Sequence, residues 1–174
     1  MSIHIVVDGY NFIRRSRHLR ALDRQDLQLG REALQDLLAA YQKTKGHRIT
    51  VVFDNQTAFL DTAERFQAKG IQFIFSQRGR SADDVIKKIA SKEKEKAVVV
   101  TSDGEVISFC TSQGATVIRS EAFEDTVYRA VHALGEGGVK DEIKAERRAG
   151  TNKKGPGKRL SKKERQARRK TAKL

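Results

Sequence analysis

The chain has a single cysteine, Cys110, so no internal disulfide can brace it, and a reducing, cytoplasmic setting is expected. It has no apolar run near the roughly 18 residues that a membrane-crossing helix needs. The first residues lack a basic segment followed by an apolar stretch and a small-residue cleavage site, so no secretory signal is expected. No GxxxxGKS/T or GxGxxG cradle follows a candidate strand, which argues against a bound nucleotide cofactor. His4, His18, His47 and His132 are scattered without metal-ligand spacing, and Ser102 is not set in a nucleophile elbow.

What is present is charge, and it is unevenly spread. The 174 residues carry a net +13, enough chain for one domain and an appendage. Residues 140–174 hold 15 Lys or Arg against 4 Asp or Glu, an excess of +11, which leaves 20 against 18 in residues 1–139. The domain is therefore expected over 1–134 and a basic, flexible or partly helical tail over 135–174. Such a tail favours polyanions, because each neutralised phosphate releases counterions. Its candidate RNA contacts are Lys153, Lys154, Lys158, Arg159, Lys162, Lys163, Arg165, Arg168, Arg169 and Lys170. It has almost no bulky apolar face to insert into a membrane.

Periodicity predicts an alternating α/β chain. Strands are expected at 3–7, 49–53, 71–75, 97–101 and 115–118. Helices are expected at 33–43, 82–94, after the fourth strand to about Gln113, and at 121–134, with a short one over "ERFQAK" (64–69). Two further charged helices, formed on a partner, are expected near 139–148 and 161–172. Near-continuous Val and Ile runs suit strands buried on both faces, so the expectation is a parallel sheet flanked by helices. In such sheets ligands bind outside the carboxyl ends of the strands, where strand order reverses.

Aspartates recur at that edge. Asp8 ends the first strand, Asp54 ends the second, Asp103 follows the fourth, and Asp83 and Asp84 open a helix in "SADD". Each has a structural role open to it. Asp8-Gly9 can be a turn with Asn11 capping the next helix, and both Ser81–Asp84 and Ser102–Glu105 read as capping boxes. Capping does not, however, require an aspartate after one parallel strand after another. Gathered carboxylates repel unless a cation neutralises them, and with no His or Cys at ligand spacing the expected ion is Mg²⁺ or Mn²⁺, one or two of them. Such ions suit phosphodiester hydrolysis. Arg31, Arg78 and Arg80, then Arg14, Arg15 and Arg17, are the domain's candidate contacts to a nucleic-acid backbone.

The motifs "VVDGYN", "VVFD", "SADDVI" and "VVTSD", in that order, resemble the NYN-domain ribonucleases of the PIN-like superfamily, in particular the YacP-like group. That resemblance covers about residues 1–134. It implies a PIN-like fold and a metal-dependent endoribonuclease, with messenger RNA on the ribosome as one substrate known in the family. It also implies that Asp8, Asp83, Asp84 and Asp103 are catalytic and hold metal, with Asp54 binding through water. Asn11 and Ser102 are implied to support them. Two rival expectations stand beside this one: a PIN-like module that binds RNA or ribosomes without cutting, and a structure-specific DNA nuclease.

Overall fold

The computed structural model describes residues 3–55, 64–135 and 161–174. Six strands form one sheet: β1 (His4–Asp8), β2 (Arg48–Phe53), β3 (Glu64–Ala68), β4 (Ile71–Phe75), β5 (Ala97–Val100) and β6 (Thr116–Ile118). Their order is β3-β4-β2-β1-β5-β6, with every pair parallel except β3 with β4. The chain therefore winds outward from β1 to β2 and β4, then returns to the other side of β1 to lay down β5 and β6. The reversal falls between β1 and β5.

The central strands are Val and Ile runs because both of their faces are covered. On one face, Ile5, Val7, Ile49, Val51, Phe73 and Val100 pack against α1 (Gly9–Arg15), α3 (Leu27–Lys45) and α6 (Ser120–Gly135) through Phe12, Leu34, Leu38, Tyr41 and Phe123. On the other, Val6, Val52 and Val99 meet α4 (Ala82–Glu93) and α5 (Gly104–Ser112) through Ile86, Ala90, Val106 and Cys110. A short helix α2 (Arg20–Gln25) lies between α1 and α3. No helix among the described residues is long and apolar enough to cross a membrane.

One expected helix is instead a strand. The stretch 64–69 pairs antiparallel with β4 at the sheet's edge, with Phe66 opposite Phe73 and their rings stacked 5.1 Å apart. Lys69 and Gly70 form the connecting turn at φ +51° and +82°, the two-residue hairpin geometry whose twist matches that of the strands. The expected parallel sheet is found, with β3 added antiparallel at this edge.

The last described stretch contains the expected basic helix. Helix α7 (Lys162–Thr171) starts at a capping box between Ser161 and Glu164. It packs back on the domain: Gln166 donates to Glu95 at 2.7 Å, Lys170 bonds the Glu95 carbonyl, and Tyr41 donates to the Leu174 carbonyl at 3.0 Å. Leu174 itself is buried in the larger core cluster. Lys153, Lys154, Lys158 and Arg159, and the helix expected near 139–148, lie outside the described residues.

Candidate active site

Asp8 occupies the reversal point because the last residue of β1 is also the cap of α1. Its Oδ1 accepts the Asn11 N–H at 3.2 Å, satisfying a helix-end donor, and Thr101 Oγ1 donates to its Oδ2 at 3.1 Å. Capping thus falls to Asp8, not to Asn11. Gly9 is required here, because a Cβ at this position would collide with the buried ring of Phe53.

The other aspartates are held by similar local devices. Asp54 follows β2 and accepts the Ala82 N–H at 2.5 Å, with Ser76 Oγ at 3.4 Å, so it helps fix the start of α4. Asp103 caps α5 by accepting from the N–H groups of Glu105 and Val106 at 2.9 and 3.0 Å, the role expected of Ser102. Asp84 completes the capping box with Ser81 and is exposed, whereas Asp83 is half-buried.

Asp8, Asp54, Asp83 and Asp103 line one cavity of about 320 Å³ with Tyr10, Asn11, Arg14, Arg15 and Ala82. Asp84 does not line it. Burial pushes the Asp8 carboxyl up to about 6; the charges of Asp83 and Asp54 push the same way, against the hydrogen bonds from Asn11 and Thr101. Asp83 is also raised, first by burial and then by the charge of Asp103, with Lys87 opposing. Among the described residues no Lys or Arg forms an ion pair with any of the four carboxylates.

Oxygen donors gathered in one cavity without an ion-pair partner among the described residues suit a hard divalent cation. No three His, Cys, Asp or Glu side chains among the described residues form a ready ligand set, so this is not a closed protein cage. The donors fit an ion such as Mg²⁺, which keeps several waters and takes one or two carboxylates plus substrate phosphate.

A polar network braces the edge. Asn11 Oδ1 accepts from the Ser102 N–H at 2.8 Å and from Ser120 Oγ at 2.9 Å, joining α1 to the loop after β5 and to the start of α6. Ser102 Oγ donates to Glu121 at 2.7 Å and accepts the Ser120 N–H at 3.1 Å. Thr101, Ser120 and Glu121 escaped the sequence reading. The one available signal was a threonine ending the run of valines at 98–100.

The candidate cations divide by place. Arg14 and Arg15 line the cavity; Arg14 lies 5.4 Å from the Tyr10 ring centre, and Arg15 stands 3.9 Å from Glu121. Arg31 donates to the Tyr10 hydroxyl and faces the rings of Tyr10, Phe53 and Phe75 at 5.3 to 5.8 Å, so it props Tyr10 beside the cavity. Arg78 and Arg80 are exposed in the loop before α4. Arg17 lines a separate cavity with His18, Glu124 and Tyr128.

Comparison with known proteins bears on the fold and the family. Two crystal structures from Bacillus subtilis, of Rae1 (YacP) and of a point mutant of it, superpose with a TM-score of 0.63 each. Sequence identities are 27% and 25%, covering 78% and 76% of this chain and 78% of each of theirs. The Bacillus subtilis protein described as "Uncharacterized protein YacP" is 32% identical over 103 residues, which are 57% of this chain and 59% of that relative. The family model "YacP-like NYN domain" matches residues 5–173. The chain belongs to the YacP-like NYN domain family, with its PIN-like nuclease fold.

Proposed function

We propose that the protein is a divalent-metal-dependent endoribonuclease. The observation that carries this reading is the convergence of Asp8, Asp54, Asp83 and Asp103, free of Lys or Arg ion pairs among the described residues, on one cavity at the reversal of strand order. A bound Mg²⁺ or Mn²⁺ would supply Lewis acidity and neutralise charge developing on the phosphate. Asp8, Asp83 and Asp103 would hold it. Thr101 and the Asn11 N–H orient Asp8 for that task, and the Ala82 N–H aims Asp54. Arg14 and Arg15 lie at the cavity wall, where they can pair with backbone phosphates. The family resemblance extends the substrate class to messenger RNA on ribosomes.

One observation favours a second reading: no three candidate ligand side chains among the described residues stand ready-made for an ion. A module that binds RNA or ribosomes without cutting would look the same. Incubating the purified protein with RNA, free or ribosome-bound, and Mn²⁺ separates the two. Cleavage by the wild type and none by Asp8→Asn is expected. Equal cleavage by both overturns the assignment of the site, and RNA binding without cleavage under either metal establishes the second reading.

A further inference from the structure

The sheet has a second polar edge, at the amino-terminal ends of its parallel strands, and it is basic. Helix α7 lies across it, against Glu95 before β5 and Gly114–Val117 at the start of β6, while the Lys173 carbonyl lies 3.4 Å from the His47 ring just before β2. Arg165, Arg168 and Arg169 are exposed, and no carboxylate among the described residues pairs with them. Spacings of three and four residues put them on one side of the helix. Lys45, Lys94 and Lys96 are exposed around the same edge. The local carboxylates are already engaged: Glu93 with His4 and Arg48, and Glu95 with Gln166.

Docking makes this charge part of the domain's shape. Leu174 is buried, and Tyr41, deep in the core, holds its carbonyl. The arginines are therefore presented at a fixed place, separated from the carboxylate cavity by the length of the strands, about 15 Å at the usual rise of a five-residue strand. One bound phosphate cannot touch both edges.

We propose that this basic edge, with α7 as its outer face, is a second RNA-binding surface that grips the sugar-phosphate backbone away from the point of cleavage. Guanidinium groups suit phosphate oxygens, which they meet with paired hydrogen bonds. The exposed side of α7 is set by Arg165, Arg168 and Arg169, without the bulky apolar side chains that a membrane or a protein groove would need. The proposal rests on RNA being the ligand of the carboxylate site. It adds that the substrate must be long or folded enough to reach around the sheet.

The test uses the full chain in EDTA, so that binding is read without cleavage. Affinity is measured against salt for a long hairpin RNA and for an oligonucleotide too short to reach from the cavity to α7. Replacing Arg165, Arg168 and Arg169 together by Gln keeps a helix-forming side chain at each position. The expected result is at least a tenfold loss of affinity for the hairpin and less than a twofold loss for the short RNA. The salt slope for the hairpin should fall by about 2 to 3, at roughly 0.7 to 0.9 per lost phosphate contact. A Lys45→Gln, Lys96→Gln pair, which leaves α7 untouched, should move the same quantities in the same direction by less. An unchanged slope for the hairpin, or equal losses for both RNAs, overturns the proposal. Should the wild type cut no RNA while the length-dependent loss is seen, the nuclease reading fails and the second surface stands.

Discussion

The two edges of one sheet treat buried and half-buried charge in opposite ways. At the amino-terminal edge, His4 is buried between Glu93 at 2.6 Å and Thr50 at 2.7 Å, and Glu93 also lies 3.6 Å from Arg48. Thr50 in turn bonds Gln72, so the network runs across three adjacent strands. At the carboxyl-terminal edge, Asp8 is buried as well, yet its donors are a backbone N–H and a hydroxyl, both neutral. The first arrangement satisfies its carboxylate within the protein. The second leaves negative charge to be met from outside, which is the ground on which the proposed chemistry is placed at that edge.

The sharpest way to break this comparison is Asp8→Asn. RNA cleavage should fall by about 10³-fold or more in a gel assay with Mn²⁺, roughly 4 kcal/mol in barrier. The same change should stabilise the metal-free protein. Folded Asp8 holds its proton up to about pH 6 whereas the unfolded chain releases it near 3.8, so stability is lost as pH rises through that window. The full loss is up to about 3 kcal/mol and is complete above pH 6; urea titrations at pH 7.5 should recover part of it in the variant. His4 behaves in the opposite sense. Burial lowers its pKa, so its contribution is present at high pH and lost as pH falls below the ordinary value of 6.5. A variant that lost activity but gained no stability at pH 7.5 would erase the contrast between the edges.

Next in size is the response to metal. Mn²⁺ at about 100 times its Kd should add about 2.7 kcal/mol to unfolding at pH 7.5, read as a rise in Tm. The gain should shrink toward pH 5, where Asp8 is protonated, and vanish in Asp8→Asn. An equal rise in that variant would place the ion elsewhere.

Leu174→Ala should cost about 2 kcal/mol or more if α7 unfolds only with the domain. If α7 opens alone, hydrogen exchange should report faster amides in α7 and unchanged ones in β1. Either result describes how the basic edge is assembled, and neither should touch the Asp8 cavity.

Much of this fold could be read from local sequence, for a physical reason. The strands at 3–7, 49–53, 71–75 and 97–101 are buried on both faces, so hydrophobicity alone marks them. Strand β3 could not be read that way. Four of its five residues are exposed, and its identity depends on pairing with β4 across the Lys69–Gly70 turn. Helices α1 and α2 are only seven and six residues long, too short to show a period. Among the aspartates, position relative to a strand end identified the group, and the Ser81–Asp84 capping-box pattern already hinted at the separate fates of Asp83 and Asp84. That distinction came from Ser81, which draws Asp84 into its capping box and leaves Asp83 facing the cavity. The docking of α7 rests on contacts more than 70 residues apart in sequence, such as Lys170 with Glu95, and no local pattern carries them.

The smallest effect compares two threonines, one on each edge. Thr101 is fully buried; its hydroxyl donates to Asp8 and accepts the Asp103 N–H at 3.2 Å, so one side chain ties the Asp8 carboxylate to the backbone of Asp103. Thr101→Val keeps the volume and removes that hydroxyl. Because the bond to Thr101 lowers the Asp8 pKa, its loss should move Asp8 titration further upward by up to about one pH unit, the equivalent of one charge-assisted hydrogen bond. The acid limb of Mn²⁺ binding should move with it. Thr50 is equally buried but serves His4 and Gln72. Thr50→Val should cost about 1 to 2 kcal/mol of stability and leave the pH dependence of Mn²⁺ binding where it was. If both substitutions shifted that dependence alike, the edges would be coupled through the sheet and the division of labour between them would fail.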